Sequence, residues 1–119
     1  MPRVGVAFFR EDDGSVPMRD WLDNIAKAAA AKCLARLKRL EEHGHELRRP
    51  EADYLRDGIY ELRVALQGVN YRMLYFFHGR TVVVVSHGLM KERAVPPGEI
   101  DLAVERKKRF ERIPKAHSE

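Results

Sequence analysis

The stretch Ile59–Lys91 reads I-Y-E-L-R-V-A at 59–65, N-Y-R-M-L-Y-F-F at 70–77 and T-V-V-V-V-S-H-G-L-M-K at 81–91. Three β-branched and aromatic runs separated by short glycine-containing gaps predict a three-stranded antiparallel meander. Glu61, Arg63, Arg72, His87 and Lys91 interrupt these otherwise apolar runs. A strand buried on both faces does not carry such charges, so one face of the meander must be open or specially paired.

Side chains alternate along a strand, which fixes the facing once the turns are chosen. The first gap is expected to close around Gly68-Val69, because a II′ turn wants glycine first. The second is expected to close around Gly79-Arg80, or around His78-Gly79 with parity kept. Either choice puts Glu61, Arg63, Arg72, His87 and Lys91 on one face. The opposite face then collects Leu62, Val64, Tyr71, Met73, Tyr75, Phe77, Val82 and Val84 as core, and leaves Leu74, Phe76, Val83 and Val85 beside the charges. A three-residue loop would break this assignment, since a one-residue slip turns a strand over.

The chain has 119 residues, which suits a single domain, here 1–112, with 113–119 expected as a flexible tail. Hydrophobic content of 45% beside 34% charged residues is ordinary for a globular protein, and a net charge of +4 permits nucleic-acid binding without requiring it. The single cysteine, Cys33, excludes an intrachain disulfide and falls on a helix's apolar stripe. No metal-ligand spacing and no cofactor motif is present, no apolar run approaches about 20 residues, and no signal-peptide pattern opens the chain, so the expected compartment is cytoplasmic, with no membrane association.

Outward from the meander, Arg3–Phe9 reads as a strand with Val4, Val6 and Phe8 on one side. Asp12-Asp13-Gly14-Ser15 marks a turn, with Ser15 a candidate cap for a helix opened by Pro17. Helical periodicity runs from Met18 to His43, and a break near Ile25–Ala28 would make it a hairpin of two helices. Lys32, Arg36, Lys38 and Arg39 make the second helix basic on its outer side. A run of this kind is usually a solvated face, with RNA contact as the functional alternative. His45–Leu55 is a polar link. Glu92–Gly98 is a loop, and Glu99–Arg112 a last helix whose Ile100, Val104 or Ala103, and Lys107 stem point inward. The order of elements predicts an α+β fold: N-terminal strand, helical hairpin, antiparallel β-meander and C-terminal helix.

That order, with L-R-D-G-I-Y-E-L-R at 55–63, N-Y-R-M-L-Y-F-F at 70–77 and H-G-L-M-K at 87–91, resembles the HigB-like, phage-derived branch of the RelE/ParE toxin superfamily over about residues 4–112. The resemblance implies the toxin of a type II toxin–antitoxin pair: a metal-independent endoribonuclease that cuts mRNA on the ribosome, inhibits translation and is neutralised by a helix-turn-helix antitoxin protein. It implies phosphate binding by Arg72 and a supporting cation at Arg63. It implies acid, base or phosphate contacts from His87 and Lys91. Glu61 stands where RelE itself has lysine. No tyrosine follows Tyr75, where RelE-like members use one near the C-terminus.

Metal-free RNA cleavage needs a base for the 2′-OH, an acid for the leaving 5′-oxygen and cations for the phosphorane. His87 and Glu61 are the competing bases. Arginines beside His87 would favour its neutral, basic form. Arg63, Arg72, Lys91, Arg93, Lys32, Arg36 and Arg39 are the candidate RNA contacts. The structural alternatives are that Arg72 pairs with Glu61 and that His87 is a hydrogen-bonded strand residue. The other functional class is a non-catalytic binding module using the same face.

Overall fold

In the computed structural model, residues 3–91 and 93–119 are described; Met1, Pro2 and Glu92 lie outside the described residues, Glu92 with its place in the expected loop. The elements are β1 (Gly5–Phe8), α1 (Pro17–Asn24), α2 (Lys27–His43), β2 (Ala52–Arg56), β3 (Ile59–Leu66), β4 (Val69–His78), β5 (Val82–Met90) and α3 (Pro97–Arg112), with short 3₁₀ turns at Gly44–Glu46 and Pro114–His117. They form one five-stranded sheet in the order β1-β5-β4-β3-β2. Strand β1 lies parallel to β5, and the other pairs are antiparallel.

The helical stretch breaks where expected. Ile25 is extended (φ −94°, ψ 168°), so α1 and α2 form a hairpin. In α2, Cys33, Leu37 and Leu40 recur at the spacing of one helix face and are buried. With Met18 and Ala29 they pack on Leu62, Val64, Met73 and Tyr75 of the sheet. The opposite sheet face carries a second core, in which Ile59, Leu74, Phe76 and Val84 meet Ile100, Ala103 and Phe110 of α3. The result is three layers: helical hairpin, sheet, C-terminal helix.

The turns differ from expectation. Gln67 (φ 50°) and Gly68 (φ 80°) are the central pair of the β3–β4 turn, with Leu66 opposite Val69. Two positive φ values in succession are the signature of a type I′ turn, whose twist suits a two-residue hairpin. The shift from the expected register is two pairs, so the facing of β3 against β4 is kept. The β4–β5 connection is the three-residue loop Gly79–Thr81, with His78 opposite Val82. That slip turns β5 over: Val83 and Val85 enter the hairpin core, and Val84 enters the α3 core with Val82 packed against it, the reverse of the sequence assignment. Ser86 is then the extra residue of a bulge between the pairs Tyr75–Val85 and Leu74–His87. The bulge returns His87 to the face of Glu61, Arg63 and Arg72.

Three further findings concern the periphery. The polar link contains an edge strand, β2, joined to β3 through Asp57 (φ 52°) and Gly58 (φ 82°). Ser15 does not cap α1; its hydroxyl donates to the Asp13 carboxylate at 2.7 Å, and Val16 occupies the cap position. Residues 113–119, expected as a tail free of the domain, make contacts with the end of β1 and the segment after it. Ser118 bridges Phe9, the Glu119 amide donates to Phe8 O at 3.1 Å, and the buried His117 ring stacks on Phe9 at 5.0 Å.

Candidate functional site

Arg63 and Arg72 stand directly opposite each other on β3 and β4. Two like charges in that position repel unless an anion lies between them. The anion is Glu61, two residues from Arg63 on the same face and 3% exposed. Its Oε2 accepts from Arg63 Nε at 3.1 Å and Nη2 at 2.8 Å, and its Oε1 accepts from Arg72 Nη1. Asp53 of β2 continues the series, with Oδ2 at 3.1 Å from Arg63 and 2.8 Å from Arg49. Acids and bases thus alternate as Arg49–Asp53–Arg63–Glu61–Arg72, with three cations against two anions. The Arg72–Glu61 pair weighed in the sequence is present, and it pre-sets both guanidinium planes.

Beside this series lies a cleft of about 430 Å³ lined by Lys32, Arg36, Glu51, Arg63, Asn70 and Arg72. It sits where β3 runs on past the end of β2 and leaves edge carbonyls unpaired. Helix α2 supplies their donors: Lys32 Nζ donates to Ala65 O at 2.8 Å, and Arg36 Nη1 donates to Arg63 O. Arg39 makes a forked contact to Glu51 at 2.6 and 2.7 Å. Three of the cations expected to face RNA are therefore also holding the sheet edge and its loop. Lys32 and Arg36 still bring their charge to the same cleft as Arg63 and Arg72. Lys38, by contrast, pairs with Glu41 at 3.4 Å on the exposed side of α2.

His87 belongs to a different cluster. Its Nδ1 lies 2.8 Å from Ser86 Oγ and 3.2 Å from Arg106 Nη1, and its Nε2 lies 2.8 Å from Glu99 Oε1. Arg106 can only donate, so Nδ1 is the acceptor and Nε2–H donates to Glu99. Burial pushes the imidazole below its ordinary range, the hydrogen bond to Glu99 opposes this, and the Arg106 charge lowers it further. The neutral form anticipated from flanking arginines is thus produced by burial first and by Arg106 of α3 second. The arrangement Ser86–His87–Glu99 has the connectivity of a hydrolytic triad, but Ser86 is 0% exposed and no substrate can reach its hydroxyl. Arg106 is itself anchored by Glu11 at 2.9 and 3.1 Å.

Lys91 follows the end of β5, its amide donating to Asn70 O at 3.1 Å. Its side chain and that of Arg93 are exposed. They line a separate hollow of about 550 Å³ that shares Asn70 with the arginine cleft. Glu61, Arg63, Arg72, Lys32 and Arg36 thus converge, Lys91 and Arg93 border them, and His87 is held apart by α3.

Asp53, Glu99, Arg106 and Glu11 were not anticipated from the sequence. Arg106 lies on the inward stripe of α3 with Ile100, Ala103 and Phe110. That stripe was legible one residue off, at Lys107. Asp53 could have been found from Asp57-Gly58, a type I′ pair that announces a strand before it.

Among the described residues no helix is long and apolar enough to cross a membrane. No curated protein matches the chain. A family model described as Phage derived protein Gp49-like (DUF891) matches residues 20–108, from within α1 to the last turns of α3, and so takes in strands β2 to β5, the arginine series and Ser86, His87, Glu99 and Arg106, but not Glu11. The chain belongs to the phage-derived Gp49-like family, a family of RelE/HigB-like toxins.

Proposed function

We propose that this protein is the toxin of a type II toxin–antitoxin pair of the HigB-like branch, cutting mRNA on the ribosome in the cytoplasm without a metal, and held inactive by a helix-turn-helix antitoxin. The observation that carries the reading is the pair of guanidiniums fixed by Glu61 beside a cleft to which Lys32 and Arg36 add positive charge. Arg72 and Arg63 would take the two non-bridging oxygens of the scissile phosphate, each fork exchanging part of its contact with Glu61 for the substrate. Lys91 and Arg93 would carry the backbone on one side, and Lys32, Arg36 and Arg39 on the other. The 2′-oxygen gives its proton to a base and attacks phosphorus, the bond to the 5′-oxygen breaks, that oxygen takes a proton from solvent, and the products are a 2′,3′-cyclic phosphate and a 5′-hydroxyl. Glu61 is the nearer base. Neutral His87 carries its lone pair on Nδ1, which Arg106 already occupies, so it would serve as a base only through the other tautomer, with Nε2 freed both of its proton and of the half-exposed Glu99.

A second reading is a RelE-like module that binds RNA or a partner protein without cutting. It is favoured by the engagement of both ring nitrogens of His87 and by the absence of a tyrosine after Tyr75. Induced expression with and without the antitoxin, followed by mapping of mRNA 5′ ends, separates the two. The toxin reading expects growth arrest, new internal 5′ ends in translated messages, and rescue by the antitoxin. Arrest without new ends selects the binding module, and normal growth at high soluble expression rejects the toxin.

A further inference from the structure

A pocket of about 470 Å³ lies between β2 and the turn after α2, lined in part by His45, Arg48, Arg49, Asp53, Tyr54 and Tyr60. Tyr54 is 52% exposed although it is aromatic and lies in a strand. Its ring is nevertheless fixed: the hydroxyl accepts the Gly58 amide at 3.0 Å, and the ring stands edge-on to Tyr60, 5.0 Å away at 69°. Tyr60 is in turn stacked on the buried Tyr75 at 5.3 Å and 17°. An exposed aromatic face that is already ordered loses little entropy when a planar group stacks on it. The cations around it are Arg48, exposed and without a side-chain partner among the described residues, and Arg49, held by Asp53 at 2.8 Å. Asp53 also takes Arg63 at 3.1 Å, so the pocket adjoins the arginine series.

We propose that this pocket is a stacking subsite for one base of a single-stranded RNA, with Tyr54 and Tyr60 receiving the base and Arg48 and Arg49 the neighbouring phosphate. The proposal rests on the RNA reading given above and adds to it a second contact point outside the cleavage cleft. The chemistry suits a nucleotide better than a protein surface: the pocket is small, its apolar part is a flat ring face, and cations border it. Aromatic faces accept any base, so the subsite adds affinity and positions the strand while discriminating little between sequences.

The test uses the full chain and a single-stranded RNA of about ten nucleotides. The RNA carries 2′-O-methyl riboses, which prevent cleavage, and one 2-aminopurine whose fluorescence falls on stacking. The wild type should quench it. Tyr54→Ala should weaken binding by about 5- to 100-fold and abolish the quenching, while Tyr54→Phe, which keeps the ring, should stay within about 3-fold of wild type. Arg48→Ala should reduce the salt dependence of binding by about one unit of slope. Both positions are exposed, and a far-UV spectrum checks that the variants fold. Absence of quenching by the wild type, or unchanged binding by Tyr54→Ala, overturns the proposal. So does a Tyr54→Ala variant that loses the antitoxin while keeping RNA, since the face would then belong to a protein. Quenching by a chain that leaves mRNA uncut removes the endonuclease reading and keeps the subsite. Cutting by a chain whose Tyr54→Ala variant binds as the wild type does the reverse.

Discussion

Glu61 is 3% exposed and holds two guanidiniums, so the loss of either arginine is felt through it. The sequence argues that Arg72→Ala costs little, because a strand charge gains nothing from burial. The structure gives that charge a buried partner and changes the expectation. Arg72→Ala should lose about 1.5–3 kcal/mol, the range for a hydrogen bond to a charged group, since Arg63 still holds Glu61. Arg63→Ala should cost less, about 1 kcal/mol, because its side chain is 34% exposed and solvent screens it. Removing both should cost about 3–5 kcal/mol and exceed the sum of the two, because it leaves a buried carboxylate unpaired. Urea unfolding of the two single variants and the double variant measures all three. A double variant no less stable than Arg72→Ala would show that Glu61 is satisfied without either arginine. Arg72→Lys separates stability from chemistry: it keeps the charge near Glu61 but cannot make a forked phosphate contact, so it should recover more stability than cleavage.

At the level of elements, the contact between α1 and β5 depends on a missing side chain. A Cβ on Gly88 would lie 2.3 Å from Cδ2 and Cε3 of Trp21. Trp21 closes that end of the hairpin core, edge-on to Tyr71 at 6.2 Å. Gly88→Ala should therefore force α1 away from the sheet and cost about 1–3 kcal/mol, the usual range for overpacking. Trp21 is the only tryptophan, so its emission should shift to the red in the same variant. Trp21→Ala combined with Gly88→Ala should be less destabilising than the two single losses added together, because the clash is removed along with the ring. The bulge at Ser86 works at the same scale. Without it the three-residue loop would turn His87 into the hairpin core, where Glu99 and Arg106 could not reach it.

For the whole molecule, the paired and buried titratable groups set the pH range of stability. The His87 ring is held below its ordinary range by burial, opposed by Glu99 and reinforced by Arg106. Between the lowered folded value and about 6.5, the unfolded chain binds a proton that the folded one does not, so stability rises with pH across that window and levels off above it. Glu11 is pushed up by burial but more than offset by Arg109 and Arg106, and lies below its ordinary value of 4.5. Its contribution is present above about 4.5 and is lost as pH falls through the folded value. Thermal or urea melts from pH 7 down to 5 should therefore show falling stability, with a slope of at most about 1.4 kcal/mol per pH unit from this one proton. His87→Gln should flatten that slope. An unchanged slope would mean that the imidazole is protonated in the fold.

The periodicities are local, and they carried the element types: apolar spacing in α2, β-branched runs in β3 to β5, and the α+β order of helical hairpin, meander and final helix. The grouping of Glu61, Arg63 and Arg72 was legible for the same reason, since period-two alternation survives any even change of register. Loop length is decided by the closure of the whole sheet. The three-residue loop after β4 therefore exchanged Val82 and Val84 for Val83 and Val85, and a bulge at Ser86 then restored His87. The partners of each charge lie far away in the chain, Glu11 against Arg106 and Glu99 against His87, and no local pattern encodes which acid meets which base. Only the packing of α3 across the sheet could assign His87 to that cluster, while Arg63 and Arg72, closer in the chain to their shared carboxylate, remained beside the open cleft.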